Sequence, residues 1–171
     1  MKKKIFTMAI TLLVFTVAGY AQIPNNGFET WSDPGTGPCP DGWICGNNSS
    51  VNFLPIVQTT GYKGTFAMKA TVVDLGGGQV QGGTALLQFA STLRPKSLTG
   101  YYHGTFVAND SATILVTIGK GGTGIGAGVK YFSTNQSTFK YFSIPLNYGS
   151  SNNPDSIAIA VFPNNRAPFI E

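Results

Sequence analysis

Residues 112–118, ATILVTI, and residues 156–162, SIAIAVF, carry the clearest repeating pattern in the chain. Every second side chain is apolar, at Ala112, Ile114, Val116, Ile118, Ile157, Ile159 and Val161. Successive side chains of a β-strand point to opposite faces, so this alternation predicts two strands with one buried face each. We expect these apolar side chains to belong to the core.

Short apolar or alternating runs continue along the chain after residue 50, and turn-forming residues separate them. They predict about eight strands: Val51 to Thr59, Thr65 to Val73, Gln79 to Ala90, Leu98 to Val107, Ala112 to Ile118, Ile125 to Phe132, Phe139 to Leu146, and Ser156 to Phe162. No window has the 3.6-residue period of a helix, and no linker divides residues 22–171. The sequence therefore predicts an all-β fold, one antiparallel β-sandwich of the jelly-roll type.

The predicted strand from Leu98 to Val107 separates its aromatic side chains between two faces. Tyr102 alternates with Tyr101 and His103, so Tyr101 and His103 lie on the face opposite Tyr102. One of these two faces is a candidate binding surface.

The first 21 residues have the organisation of a secretory signal peptide. Three lysines at 2–4 precede an apolar stretch from Ile5 to Val17, and Gly19-Tyr20-Ala21 supplies small residues at a cleavage point. A membrane-spanning helix needs about 20 apolar residues, and this stretch is shorter. We expect cleavage before Gln22, no membrane span afterwards, and an extracellular location.

Removal of the leader changes the charge balance of the chain. Three of its eleven basic residues leave with the leader, so eight face seven acidic ones and the formal charge falls from +4 to +1. The remaining Lys and Arg residues are scattered singly, whereas proteins that bind nucleic acid carry a basic stripe. The sequence thus predicts neither a nucleic-acid nor an anionic-membrane partner.

The two cysteines, Cys39 and Cys45, lie six residues apart on either side of a predicted turn at 40–42. Thiols pair in an oxidising compartment, so export predicts a disulfide between them. A metal site is the competing interpretation, but it lacks further Cys ligands, and the only histidine is the distant His103.

Five short motifs occur in order along the chain: IPNNGFETW at 23–31, PDGW at 40–43, GTFAMK at 64–69, NDSA at 109–112 and PDSI at 154–157. Together they resemble secreted bacterial jelly-roll modules of the carbohydrate-binding, galactose-binding-like type. The chain is most similar to the carbohydrate-metabolism domain of outer-surface proteins, and the resemblance covers nearly all of residues 22–171.

This resemblance implies a secreted or bacterial cell-surface protein, associated with the outer membrane, whose partner is a glycan or polysaccharide. The family normally completes its sheet with a final strand that carries an acidic pair, whereas residues 164–171 contain no such strand. We therefore expect the sandwich to lack its last strand.

The resemblance also points to one metal ligand, Glu29. Related modules use an early acidic residue, beside backbone oxygens, to hold a structural calcium between their terminal strands, and calcium prefers oxygen ligands. A solvated carboxylate at a strand end is the alternative interpretation of Glu29.

Aromatic side chains are the candidate ligand-binding groups, because sugar-binding proteins stack aromatic rings on the apolar face of a pyranose. The predicted platforms are Tyr62, Tyr101, Tyr131 and Tyr141, of which Tyr62, at a turn, and Tyr101, on a polar strand face, are the strongest. Trp43, beside the cysteine loop, is expected to fill the core. Trp31 is expected to pack against the first strand.

Catalytic motifs are missing from the sequence. It has no Gly-x-Ser-x-Gly elbow, and His103 has no Ser or Cys nucleophile motif with it. Residues 119–124, GKGGTG, match a dinucleotide fingerprint formally, but a predicted strand follows them, so a hairpin loop is expected.

The sequence therefore predicts a noncatalytic carbohydrate-binding module without a catalytic cofactor. A structural or adhesive sandwich that binds no sugar is the alternative. A glycosidase, whose two carboxyl groups would come together only in the folded chain, is the third interpretation.

Overall fold

The structure is a computed structural model that describes residues 22–107 and 110–164. The predicted leader at 1–21 and the expected missing strand after residue 164 lie outside the described residues. Within these ranges, no helix is long and apolar enough to cross a membrane.

The described residues form fourteen strands and one short 3-10 helix at Ser49–Val51. The first seven strands are β1 (Trp31–Ser32), β2 (Cys39–Pro40), β3 (Trp43–Cys45), β4 (Ile56–Thr60), β5 (Phe66–Ala70), β6 (Val72–Gly76) and β7 (Gln79–Gly82). The last seven are β8 (Ala85–Ala90), β9 (Ser97–Gly104), β10 (Ser111–Lys120), β11 (Thr123–Phe132), β12 (Gln136–Pro145), β13 (Asn147–Tyr148) and β14 (Ser156–Asn164).

Six strands form the larger layer, in the order β13-β11-β10-β14-β8-β3, and every neighbouring pair is antiparallel. The two stretches with the clearest alternation lie beside each other at its centre, where β10 pairs with β14 and Val116 stands opposite Ile159. The inward side chains of both strands are buried or packed against the core, as predicted.

A second layer consists of two separate antiparallel pairs, β4–β5 and β9–β12. From β4, Ile56 packs into the main core cluster with Leu87 and Ile118 of the larger sheet. From β12, Phe142 and Ile144 form a second cluster with Phe132 of β11. The two layers enclose one apolar interior, so the predicted all-β antiparallel sandwich is confirmed.

Two predicted strands are each divided in the structure. The run from Thr65 to Val73 breaks at Thr71, whose amide and hydroxyl both donate to the Pro55 carbonyl. The run from Gln79 to Ala90 breaks at Gly83, whose amide donates to the Thr71 carbonyl. A Cβ at Gly83 would lie 2.6 Å from Pro55 Cβ, so only glycine fits this close approach. The breaks create the separate β6–β7 hairpin.

The segment before Val51 is more ordered than the sequence indicated, because it contains β1, β2 and β3. Cys39 and Cys45 form the predicted disulfide, with an S–S distance of 2.07 Å. Trp43 is buried, as predicted, and its ring centre lies 5.5 Å from that of Phe28. Trp31 is half-buried, packs against the same core and donates from its indole to the Phe28 carbonyl at 2.6 Å.

Candidate functional site

Five rings lie together on the outer surface of the second layer. We call this surface the aromatic face, and it consists of Tyr62, Tyr101, His103, Phe139 and Tyr141. Tyr101 is central, because its ring centre lies 4.1 Å from Tyr62 in a stacked arrangement and 5.6 Å from Tyr141 in an edge arrangement. Phe139 continues the group, 5.5 Å from Tyr62 and 4.6 Å from His103.

Strand alternation and register place three of these rings together. In β9, Tyr101 and His103 are exposed, whereas Tyr102 is turned towards Phe132 in the interior, as predicted. Tyr141 of β12 stands directly opposite Tyr101. Residues directly opposite on one sheet face are in side-chain contact distance, so the register itself brings these two tyrosines together.

Tyr62 arrives from a different pair, in the turn between β4 and β5. The Gly61 amide donates to the Thr65 carbonyl at 3.1 Å and closes this turn. Gly64 has φ +118, which disfavours any other residue at that position. The turn places Tyr62 against the β9–β12 pair, where its ring stacks on Tyr101.

The three tyrosine rings are open to solvent, with 47% of Tyr62, 45% of Tyr101 and 55% of Tyr141 exposed, whereas Phe139 is half-buried. Soluble proteins rarely expose contiguous apolar patches without a binding role. The exposed tyrosine rings therefore form a surface on which the ring of a ligand could stack.

Hydroxyl groups continue the same face away from the rings. Thr99 of β9 stands opposite Ser143 of β12, and both are exposed. From His103 back to Ser97 the face extends about 20 Å at the rise of an extended strand. The result is a strip with aromatic rings at one end and hydroxyl groups at the other.

One basic side chain, Lys63, lies against the rings of the strip. Neither β9 nor β12 contains Asp or Glu, and Lys140 of β12 stands opposite the inward-facing Tyr102. Next to the turn ring, the Lys63 ammonium lies 5.9 Å from the centre of Tyr62. Lys63 thus contributes a positive charge beside the aromatic face, and the Glu29 carboxylate accepts a hydrogen bond from Thr65 in the same turn.

Tyr131 lies elsewhere. It belongs to β11 in the larger sheet, opposite Thr113, and is 68% exposed. Of the four predicted platforms, the structure therefore brings Tyr62, Tyr101 and Tyr141 together and leaves Tyr131 on the other layer.

The outer surface of the larger sheet carries a different group, which we call the apolar row. It crosses five strands in direct register: Ile44, Leu86, Ala160, Leu115 and Val129. Its two end members are well exposed, Ile44 by 69% and Val129 by 48%. The row contains neither an aromatic ring nor a hydrogen-bonding side chain.

Glu29, the predicted metal ligand, lies beside the turn that carries Tyr62. Its Oε1 accepts from the amides of Thr65 at 3.1 Å and Phe66 at 3.3 Å, and its Oε2 accepts from Thr65 at 3.1 Å. Among the described residues, no three His, Cys, Asp or Glu side chains group as metal ligands would. Calcium at Glu29 stays a prediction.

Other carboxylates accept hydrogen bonds from nearby backbone amides. Asp33 accepts from Gly35 and Gly37, and Asp74 accepts from Gly76. Asp155 accepts from Gly121 at 2.8 Å, and this hydrogen bond is the main reason that the pKa of Asp155 lies below its usual value. These side chains stabilise turns, as their sequence positions suggested.

Sequence reasoning missed two parts of the aromatic face. Phe139 is predicted to lie in a strand but not in a site. Its neighbours across the sheet could not be derived from the sequence, because the pairing of β9 with β12 is irregular between Gln136 and Lys140. The Thr99–Ser143 pair depends on the same register. Phe139 and Ser143 each lie two residues from Tyr141, and residues two apart on a strand share a face. This spacing is the only sequence signal that points to them.

Comparison of the chain with protein-family models, with curated proteins and with solved structures gives no match.

Proposed function

We propose that the protein is a noncatalytic carbohydrate-binding module that holds a glycan on the aromatic face. The observation that carries the proposal is the solvent-exposed group of Tyr62, Tyr101 and Tyr141, with ring centres 4.1 and 5.6 Å apart. Aromatic rings with an apolar body and a polar tip suit a ligand whose rings have both apolar faces and hydroxyl edges.

The strip divides the recognition of a glycan into two tasks. A pyranose ring would stack on the exposed aromatic surface beside Tyr101 and Tyr141. Neighbouring sugar hydroxyls would exchange hydrogen bonds with Thr99 and Ser143, whose side chains can each donate and accept. Because the strip is long and open, it fits several linked sugar units rather than one enclosed monosaccharide.

The sequence supports the same proposal from a second direction. The order of the motifs at 23–31, 40–43 and 64–69 resembles secreted bacterial carbohydrate-binding modules, and residues 1–21 resemble a signal peptide. We propose accordingly that the module works outside the cell or at the bacterial cell surface, where it meets polysaccharides.

The contacts of the carboxylates support a noncatalytic function. A glycosidase needs two carboxyl groups that face one glycosidic bond. Here the side chains of Glu29, Asp33 and Asp155 accept backbone amides at turns. The strands under the aromatic face supply no Asp or Glu.

Calcium at Glu29 would support the fold rather than the sugar contacts. Hard cations favour carboxylate oxygens, but both Glu29 oxygens already accept amide hydrogens, so a calcium ion would have to share or replace these bonds. A higher melting temperature in calcium, reversed by a chelator, is the expected result of a calcium site. An unchanged melting curve would remove calcium from the proposal.

The second candidate function is a structural or adhesive sandwich domain, and the apolar row favours it. An aliphatic row across five strands, with Leu86, Leu115 and Ala160 half-buried and both ends exposed, is the kind of surface that proteins bury against other proteins. On this alternative, the aromatic face would bind no sugar, and the larger sheet would make the functional contact.

A glycan array on residues 22–171 tests the two candidates. We expect the chain to bind a polysaccharide, and we expect the double variant Tyr62→Ala/Tyr101→Ala to lose that binding while it melts cooperatively. Tyr131→Ala is the matched control, since it removes an exposed tyrosine from the other layer. If the wild-type chain binds no glycan on the array, or if the double variant binds as strongly as the wild type, the proposed site is rejected.

A further inference from the structure

We propose that Glu29 is a positioning residue for the aromatic face, through which the N-terminal segment at 25–30 holds Tyr62 in its stacked position. The inference rests on the proposed function, because it assigns a role in ligand binding to a residue that does not touch the rings. It differs from the metal hypothesis, because the groups bound to Glu29 are amides of this chain.

The contacts of Glu29 are specific for the turn. Its carboxylate accepts three hydrogen bonds from two consecutive amides, those of Thr65 and Phe66, across 36 and 37 residues of sequence. Hydrogen bonds to an ionised acceptor are stronger than those between neutral groups. One side chain therefore fixes the start of β5 and the end of the turn that presents Tyr62.

Gly64 shows how close the carboxylate approaches the turn. A Cβ on Gly64 would lie 2.2 Å from Glu29 Oε1, and the backbone there has φ +118. Glycine at this position thus serves two requirements, the backbone conformation and the space for the Glu29 side chain.

The segment that carries Glu29 is itself held in place. The Asn25 side-chain amide donates to the Thr30 carbonyl at 2.9 Å, and the Phe28 amide donates to the Asn25 carbonyl at 3.0 Å. The Phe28 ring packs on buried Trp43. Glu29 therefore meets the turn from an ordered loop, which lowers the entropic cost of holding Tyr62 for a ligand.

Loss of Glu29 should free the turn without removing any ring. Glu29→Ala is expected to weaken glycan binding by about fivefold, the equivalent of one aromatic contact. Glu29→Gln retains one acceptor oxygen and should fall between the wild type and the alanine variant. The matched control is Asp33→Ala, which removes a carboxylate that also accepts two loop amides but lies in a different loop.

Gly64→Ala tests the same contact from its other side. The added methyl group would displace the Glu29 carboxylate, so we expect a loss of affinity similar to that of Glu29→Ala. Gly35→Ala is the control for backbone strain, because Gly35 has φ +97 and no atom within 4 Å of an added Cβ. It should lower stability without lowering affinity.

Nuclear Overhauser contacts between the rings of Tyr62 and Tyr101 separate this inference from the proposed function, because they need no ligand. We expect the contacts in the wild type and in Asp33→Ala, and their loss in Glu29→Ala. If Glu29→Ala keeps both the contacts and the affinity, the positioning role is overturned and the glycan site stands. If the contacts are lost but the wild type binds no glycan, the proposed function fails and the positioning role of Glu29 stands as a structural one.

Discussion

The aromatic face and the apolar row lie on opposite layers of one sandwich, and both are products of strand alternation. On β9 and β12, the outward positions hold rings and hydroxyls, among them Tyr101, Tyr141 and Thr99. On the larger sheet, the corresponding outward positions hold aliphatic side chains such as Leu115 and Val129. The same backbone pattern therefore presents two surfaces with different chemistry.

The difference indicates which kind of partner each surface suits. Rings combined with hydroxyls can satisfy a ligand that is itself both apolar and polar, as a sugar is. Aliphatic side chains offer burial but no hydrogen bonds, so they suit another apolar protein surface. Variants that change one surface and leave the other intact can separate the two functions.

The largest effect is expected from removal of the disulfide. Cys39→Ala/Cys45→Ala should lower the free energy of unfolding by about 2 kcal/mol, because the short loop gains freedom in the unfolded chain. Chemical denaturation, followed by tryptophan fluorescence, measures this loss.

The same variant also distinguishes the two surfaces. Cys45 of β3 pairs with Ala85 of β8 and is next to Ile44, which lies at the end of the apolar row. Amide hydrogen exchange should therefore accelerate more in β3, where local opening adds to the global loss of stability, than in β9. An unchanged denaturation midpoint would contradict the predicted contribution of the disulfide.

The second effect compares single tyrosines from the two layers. Tyr141→Ala should weaken glycan binding by about 1 kcal/mol, since it removes one of the two rings on which the sugar is proposed to stack. Tyr131→Ala, on β11, should leave affinity unchanged. Isothermal titration with the glycan that the array identifies measures both, and equal losses would show that the ligand extends beyond the aromatic face.

The strands could be predicted from the sequence because each solvent-facing strand alternates between two faces. Val116 and Ile159 follow that pattern and are buried. The breaks at Thr71 and Gly83 could not be predicted, since they depend on contacts with Pro55 from another part of the chain. Strands β1, β2 and β3 could not be predicted, because two or three residues are too few to show the alternation of apolar and polar side chains.

The candidate site was predicted only as separate residues. Tyr62 and Tyr101 were the strongest candidates in the sequence, but nothing in it shows that they stack on each other. That contact requires the β4–β5 turn to meet the β9–β12 pair, which is a tertiary relation. The hydrogen bonds of Glu29 to Thr65 and Phe66 are likewise long-range and could not be predicted, and the calcium role that the resemblance implies for Glu29 stays a prediction.

The third effect concerns the apolar row. Ile44→Lys/Val129→Lys places charge at its two exposed ends and should change stability by no more than about 0.5 kcal/mol per site, as expected at exposed positions. If the row makes protein contacts, these lysines should reduce self-association and the binding of an apolar dye. Sedimentation velocity over a range of concentrations measures the first, and dye fluorescence the second.

Glycan binding is the control for the lysine variant. The two substitutions lie on the larger sheet, so affinity for the glycan should not change. A loss of glycan binding would place the sugar on the apolar row and contradict the assignment of the two surfaces. Unchanged self-association and dye binding would count against the adhesive alternative.

The smallest effect is the response of the larger sheet to acid, through Asp155. Asp155, at the start of β14, accepts a hydrogen bond from Gly121 at 2.8 Å and lies 3.7 Å from the Lys120 ammonium. The Gly121 amide is the main cause of the lowered pKa of Asp155. Because the pKa of Asp155 is lower in the folded protein, its ionised carboxylate stabilises the fold at pH values above the ordinary pKa of 3.8. This contribution is lost as the pH falls through the pKa of the folded state.

Asp155→Asn should therefore flatten the dependence of stability on pH below about pH 4, the region in which aspartate titrates. The effect is small because the carboxylate is exposed to solvent. Lys120→Ala should retain most of the dependence, since the Gly121 amide contributes more than the lysine. Urea midpoints between pH 2 and 5, approximately the aspartate range, measure both variants. Equal flattening by Asp155→Asn and by Lys120→Ala would contradict the larger contribution of the Gly121 amide.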